Sequence, residues 1–394
     1  MSAILDKLLK GQNVEWLPLN EIVLPTKNIK WKDVDSIYQY IDLTSVDRKT
    51  NAIIETSLID KENAPSRAQK IVEHNDIIFA TTRPTQMRIA VITEELHEQI
   101  ASTGYCILRA DIKIVLPKWI YYNLSSVSFK NYLEENESGS AYPAISDTKL
   151  KEFKIPIPPL DVQAEIVRIL DAFTAVTAEL TAELNMREKQ YQYYREHLLN
   201  FSGRIAEWKT LGEIGKVCMC KRILKEQTND IGGIPFYKIG TFGKTADAFI
   251  TREIFEQYKQ KYNYPKQGQV LISASGTIGR TVIFDGKDAY FQDSNIVWIE
   301  HNERLVLNKF LYYVYQITTW GASEGGTISR LYNDNLRKIK IPIPPLDEQK
   351  RIVNILDKFE ALTHSITEGL PKEIALREQQ YEYYREQLID FPKN

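Results

Sequence analysis

Gly243-Lys244-Thr245 carries the letters that end a phosphate-binding loop. That loop needs a further glycine five positions before Gly243, where its backbone would wrap the phosphates, and Lys238 stands there instead. No nucleotide site is read from it. Glu152-Phe153-Lys154 has the letters of part of a nuclease metal site, but the matching stretch later in the chain is Lys338-Ile339-Lys340 and no upstream carboxylate accompanies it. The Asn- or Asp-Pro-Pro-aromatic tetrapeptide of amino-methyltransferases is absent, because both Pro-Pro pairs are followed by leucine, Leu160 and Leu346. His74, His97, His197, His301 and His364 are scattered without metal-ligand spacing. Cys106, Cys218 and Cys220 give neither a metal spacing nor an even disulfide framework, which fits a reducing compartment. The chain reads as non-catalytic, with no metal and no cofactor of its own.

What the chain does offer is donors on loops. Ser273-Ala274-Ser275-Gly276-Thr277-Ile278-Gly279-Arg280 packs small hydroxyls, glycine and an arginine together, and its counterpart is Thr81-Thr82-Arg83-Pro84-Thr85-Gln86-Met87-Arg88. A second pair of loops reads Ser138-Gly139-Ser140-Ala141-Tyr142 and Gly325-Gly326-Thr327-Ile328-Ser329-Arg330. Arginine can read guanine bidentately, and Ser, Thr and backbone N–H groups can hold phosphates. Candidate DNA contacts are Arg83, Arg88, Ser140, Tyr142, Lys244, Ser275, Thr277, Arg280, Thr327 and Arg330. Polar glycine loops are also the ordinary way to make turns, so the elements carrying them must decide.

Those elements come twice. Lys-Ile-Pro-Ile-Pro-Pro-Leu-Asp stands at 154–161 and again at 340–347. Each copy leads into a helix-forming run with nearly the same ending, Arg187-Glu188-Lys189-Gln190-Tyr191-Gln192-Tyr193-Tyr194-Arg195-Glu196 and Arg377-Glu378-Gln379-Gln380-Tyr381-Glu382-Tyr383-Tyr384-Arg385-Glu386. A period near half the chain means two structural units. Ahead of the helices only landmarks agree. Glu15-Trp16 with Leu19, Glu21 and Ile22 answers Glu207-Trp208 with Leu211, Glu213 and Ile214, and Leu116, Lys118, Tyr121 and Tyr122 answer Leu307, Lys309, Tyr312 and Tyr313. The scaffold repeats while the globular content differs, the pattern of two readers of different targets. Short β-rich runs at 76–80, 104–109, 269–273 and 295–299, with a helix near 117–133 or 308–318, make each unit mixed α/β.

From Val162 to Phe201 the apolar stripe Ile166, Leu170, Phe173, Leu180, Leu184, Tyr191, Tyr194, Leu198, Phe201 is spaced for one helix face. Asp161 is the expected N-cap and Ser202-Gly203 the stop. The second stripe, from Glu348 to about Phe391, is Ile352, Leu356, Phe359, Leu362, Ile366, Tyr381, Tyr384 and Leu388, and Gly369-Leu370-Pro371 predicts a kink or break within it. Two stripes of this kind pack on each other. At about 1.5 Å per residue each rod is roughly 60 Å long, a spacer comparable with 17 or 18 base pairs. The expected spacer and partner-docking residues are Leu170, Phe173, Leu180, Leu184, Tyr191, Tyr194, Leu356, Phe359, Tyr381 and Tyr384. Thr177-Ala178-Glu179-Leu180 is repeated at once as 181–184, and one such unit is worth about 6 Å and a 40° rotation.

With 394 residues and 43% hydrophobic content the chain can bury two cores. Its net charge of −2 and pI of 6.3 exclude a uniformly basic nucleic-acid coat. The balance is uneven: 14–153 holds 16 Lys+Arg against 20 Asp+Glu, and 206–339 holds 18 against 14. An acidic first unit needs a local basic face or a basic partner to approach phosphates. The stretch 1–10 lacks a signal-peptide core and no apolar run reaches membrane-spanning length, so a cytoplasmic protein is expected.

Two variable globular units, each followed by a near-identical long helix, resemble the specificity subunit of type I restriction-modification enzymes. The resemblance spans the chain and rests on the paired Ile-Pro-Ile-Pro-Pro-Leu-Asp-x-Gln motifs (155–163, 341–349), the Ile-Val-x-Ile-Leu-Asp-x-Phe runs (166–173, 352–359) and the Tyr-x-Tyr-Tyr-Arg-Glu endings. The Thr-Ala-Glu-Leu tandem is similar to that of the IC subfamily. The resemblance implies an α+β architecture: two mixed α/β target recognition domains separated by two long helices packed as an antiparallel coiled coil, with pseudo-twofold symmetry. The divisions are 1–153 for the first recognition domain with a short N-terminal segment, 154–203 for the first helical spacer, 204–339 for the second domain and 340–394 for the second spacer. It further implies that each domain reads half of a split double-stranded DNA site, and that the helices set the gap and bind two methyltransferase subunits, which join motor-nuclease subunits. S-adenosylmethionine, ATP and Mg²⁺ would be used by those partners. The rival readings are a stand-alone two-domain DNA-binding regulator and a coiled-coil scaffold without nucleic acid.

Overall fold

The computed structural model describes residues 3–48, 50–139, 141–321, 330–365 and 367–392. It divides into two compact units, Met1–Leu180 with Glu373–Asn394, and Thr181–Lys372. Each unit therefore holds one globular segment, the beginning of the helix that follows it and the end of the other helix.

In the first unit the octapeptide is a strand that turns into a helix. Lys154–Ile157 pairs antiparallel with Glu15–Pro18, which sets Trp16 opposite Pro156. Pro156 has no N–H to give, and a two-stranded ribbon tolerates it. The long helix then runs Leu160–Leu199. Asp161 lies inside its first turn and is not the N-cap expected; the Pro159 carbonyl accepts the first helical bond, from Gln163 N–H at 3.0 Å. Asp161, in that first turn, meets the positive end of the helix dipole. The helix ends at Leu199, two residues before the limit read from the apolar stripe.

Two four-stranded sheets fill the rest of that unit. One has the order Val23–Leu24, Tyr105–Ala110, Ile77–Ala80, Ile89–Val91, all antiparallel. The other orders Ser57–Ile59, Tyr38–Ile41, Ile100–Ser102 and Ala68–Ile71, with its middle pair parallel. Ile77 and Phe79 face a core that includes Trp119, Ile166 and Leu170, while Ile78 and Ala80 face another that includes Ile41 and Tyr105. Burial on both faces explains the unbroken apolar run at 77–80. The helix expected near 117–133 is two helices, Pro117–Leu124 and Val127–Asn136, because the Ser126 hydroxyl caps the second by accepting from Phe129 N–H at 3.1 Å.

The second unit repeats this plan in other letters. Glu207–Thr210 pairs with Lys340–Ile343, setting Trp208 opposite Pro342. A four-stranded sheet has the order Gly215–Cys218, Ile296–His301, Val270–Ser273, Thr281–Ile283, and a three-stranded one the order Phe249–Ile250, Ile234–Tyr237, Tyr290–Phe291, again with a parallel pair. Asn308–Ile317 takes the place of Pro117–Leu124. Arg252–Lys261 is a helix with no counterpart among the described residues of the first unit.

Within each unit the two helix parts run antiparallel. Phe173, the fourteenth residue of its helix, stacks on Tyr384, five residues before the end of its own, with centroids 5.4 Å apart at 21°. Phe359 and Tyr194 hold the same two places in the second unit, at 5.3 Å and 26°. The second long helix comes as Leu346–His364 and Gly369–Ile389, 19 and 21 residues, together as many as the 40 of the first. Its four extra residues are thus looped out. The break falls just before Gly369, whose φ of +76° and close approach admit no side chain: a Cβ there would lie 2.3 Å from the Ala361 carbonyl oxygen. Pro371 sits in the resumed first turn, where its missing N–H costs nothing. Ile366 lies outside the described residues.

Candidate nucleic-acid interface

The octapeptide's helix is locked to its globular segment by a buried amide. Gln163, 0% exposed, accepts from Leu116 N–H (2.9 Å) and donates to the carbonyls of Ile114 (3.0 Å) and Pro158 (2.8 Å). Gln349, equally buried, accepts from Leu307 N–H (2.9 Å) and donates to Leu305 (3.0 Å) and Pro344 (2.9 Å). About two turns further, Asp171 accepts from the Tyr122 hydroxyl (2.6 Å) and the Lys118 ammonium (2.7 Å). In the second unit Lys309 pairs with Asp357 (3.2 Å) and Glu360 (3.0 Å), Tyr312 donates to Glu360 (2.7 Å), and the Tyr313 hydroxyl lies between Asp357 and Glu360. Burial and the carboxylate acceptors push the Tyr122 and Tyr313 hydroxyls up. Burial acts to raise the Glu360 carboxyl, but the two tyrosines and Lys309 outweigh it and hold the group below the ordinary carboxylate value. Sequence reasoning named none of these glutamines and carboxylates as functional. The signal was present for Gln163, Gln349, Asp171 and Asp357, which lie inside repeated words, but not for Glu360, whose counterpart is Thr174.

These locks fix where the loops stand. In the first unit the two candidate loops meet: Arg83 N–H donates to Pro143 C=O (2.7 Å), Ile145 N–H to Thr81 C=O (3.0 Å), and Thr82 bridges to Ala144. In the second unit the equivalent loops also meet, Leu331 N–H donating to Ala274 C=O (2.8 Å) and Ser275 bridging to Arg330. The arginines on them sort into two kinds. Arg88 turns inward, donating to the Leu43 carbonyl, and Arg280 likewise to the Phe242 carbonyl at 3.0 Å. Arg83 is exposed over the Tyr142 ring, 5.1 Å from its centroid, and Arg330 lies over Tyr332 at 5.8 Å.

The remaining candidates differ in availability. Ser275 is buried and donates to Asn295 Oδ1 (3.0 Å), so its hydroxyl braces the loop. Thr277 is exposed, and its carbonyl accepts from the Ser273 hydroxyl (2.5 Å). Lys244 is exposed on a turn closed by its own N–H to Thr241 C=O (2.9 Å), and Gly243 beside it abuts Val282 and Arg280, so this turn joins the second unit's loop pair. Gly279 is required there, since a Cβ would lie 2.2 Å from the Trp320 ring. Ser140 and Thr327 lie outside the described residues. Of the spacer candidates, Leu170, Leu356 and Tyr191 are buried, Phe173, Leu180, Leu184, Phe359, Tyr381 and Tyr384 half-buried, and Tyr194 stacks on Phe359. The tyrosines left facing outward are Tyr193 and Tyr383, each 63% exposed at the same place of the two repeats. Among the described residues no group of three or more His, Cys, Asp or Glu could hold a metal ion, and no helix is long and apolar enough to cross a membrane.

Comparison with known proteins places this architecture. The type I restriction modification DNA specificity domain matches twice, over 21–187 and 206–376. A putative type I restriction enzyme specificity subunit of Haemophilus influenzae is 46% identical, over 98% of this chain and 98% of its own. The EcoR124I/EcoR124II specificity subunit of Escherichia coli is 36% identical, over 99% and 97%. A chain from a solved structure on complex assembly and conformational transition of the type I system shares the fold, with a TM-score of 0.65 and 23% identity over 96% and 98%. Two family domains in tandem, full-length relatives and a shared fold agree that the chain belongs to the type I restriction-modification DNA specificity subunits.

Proposed function

We propose that the chain recognises a bipartite DNA sequence for a type I restriction-modification complex, each globular unit reading one half. The observation that carries this is the division within the repeat: the locks at Gln163 and Gln349 recur, while the loops at 81–88 and 273–280 differ in letters. A specificity subunit is non-catalytic. S-adenosylmethionine, ATP and Mg²⁺ belong in this reading to the partners, two methyltransferase subunits and the motor-nuclease subunits, in the cytoplasm. Leu170, Phe173, Tyr381 and Tyr384 in the first unit and Tyr191, Tyr194, Leu356 and Phe359 in the second hold the helix pairs together, Leu180 and Leu184 continue the spacer between them, and docking falls to the outward face that carries Tyr193 and Tyr383. The acidic first unit approaches DNA through its loop pair with help from a partner's basic surface.

The test is sequencing of adenine methylation in DNA from cells expressing the chain with its methyltransferase, against cells without the chain. A new bipartite motif is the expected result. An assembled complex that yields no new motif overturns the reading and favours a scaffold; tight site binding by the chain alone at physiological salt favours a stand-alone regulator. Deleting 181–184 removes about 6 Å of helix, close to two base pairs, and is expected to shorten the gap with both half-sites unchanged.

A further inference from the structure

We infer that the exposed arginine–tyrosine pair at the first unit's loop junction, Arg83 on Tyr142, is the element that reads a G·C base pair in its half-site. This rests on the proposed DNA recognition and names the residues and the base within it.

Tyr142 is 70% exposed, so its ring is not there to fill a core. The Arg83 guanidinium makes no ion pair among the described residues. Its guanidinium carbon lies 5.1 Å from the centroid of the exposed Tyr142 ring, a cation–π contact, and the guanidinium is the fork that matches guanine O6 and N7 in the major groove. Arg83 and Met87, at φ values of 50° and 52°, bracket the short turn Pro84–Gln86 in the left-handed region, which a side chain adopts at a cost of about 1–3 kcal/mol. Arg83 is exposed there, and its N–H bond to the Pro143 carbonyl ties the turn to the second loop. Arg88 and Arg280, drawn in to carbonyls, are excluded as readers.

The experiment selects binding sites from DNA libraries randomised in both half-sites, using the complex of the chain with its methyltransferase subunits. R83Q is expected to relax one G·C position of one half-site, losing about ten- to a hundred-fold discrimination there, with the other half-site and the gap unchanged. Y142A is expected to weaken the position that R83Q relaxes. R83K keeps the charge and loses the fork, so it relaxes the same position if the arginine reads a base. Unchanged base preference in R83Q, or rescue by R83K with uniformly weaker binding in R83Q, makes Arg83 a phosphate anchor and overturns the inference. Relaxation of every position in a half-site also overturns it, by making the pair a support for the whole domain. A wild-type complex that selects no bipartite site overturns the recognition reading itself.

Discussion

Replacing Gln163 by leucine removes three hydrogen bonds at once from a site with no access to water. Leucine fills a similar volume, so the main cost is polar: the Leu116 N–H and two carbonyls lose their partner. A buried group left unsatisfied costs about 1–3 kcal/mol, with carbonyls toward the low end, so the total is about 3–5 kcal/mol. That is a large share of the roughly 5–15 kcal/mol that holds a domain folded. The loss should fall on one unit, because Ile114, Leu116, Pro158 and Gln163 all lie in Met1–Leu180. Native-state hydrogen exchange read by peptide mass spectrometry separates the units. Slowly exchanging amides of Ile77–Ala80 and Tyr105–Ala110 should speed up by roughly thirty-fold or more, while those of Val270–Ser273 and Ile296–His301 keep their rates. Gln349→Leu should reverse the pattern. Rates in the first unit unchanged to within about a factor of two, or equal acceleration in both units, would refute the assignment of Gln163 as a local lock of its own unit.

Phe173→Ala removes a half-buried ring from Tyr384 and should cost about 1.5–3 kcal/mol, below the full-burial range, read as faster exchange near the end of Gly369–Ile389. The Glu360 carboxyl, held below its ordinary value by Tyr312, Tyr313 and Lys309, contributes stability that is fully present above the unfolded-state value and is lost as pH falls through the lower folded one. Acid titration of the second unit from pH 5 downward should therefore show a slope that Glu360→Gln flattens; an unchanged slope contradicts the account. Burial pushes the thiols of Cys106 and Cys220 up to about 12, so iodoacetamide at pH 8 should leave both unlabelled in the native chain and label both in denaturant.

The scaffold was legible because the chain writes it twice. Strand, double proline and helix start lie within eight repeated letters, and periods of three and four gave the helix faces. The N-cap was misread because Asp161 has the right side chain, whereas the first helical bond goes to the Pro159 carbonyl, and a backbone carbonyl does not show in a pattern of side-chain donors and acceptors. The four loops were legible as loops, and their junctions in pairs follow from the shared fold. Which arginines face outward was not legible. Arg88 is drawn in by a carbonyl 45 residues away and Arg280 by one 38 residues away, contacts that no local window contains. The same limit hid the carboxylates, since Lys118 and Asp171 meet only after the helix has folded back.

The division between copied and uncopied residues follows from what each substitution costs. A change at Gln163, Asp171 or Tyr122 strips a buried or half-buried group of its partners and costs several kcal/mol at worst. A change at Arg83 or Tyr142, exposed at a junction held by main-chain bonds, falls in the range of about half a kcal/mol typical of surface positions. The locks use side chains and so require particular residues in both units. The loop junctions use backbone N–H and C=O groups, which every residue but proline supplies in full. A junction built that way can carry Thr-Arg-Pro-Thr in one unit and Ser-Gly-Thr-Ile in the other without moving the helix beneath it. The reading surface can then change its letters while the spacer keeps its length, which is what a subunit with two different half-sites and one gap requires.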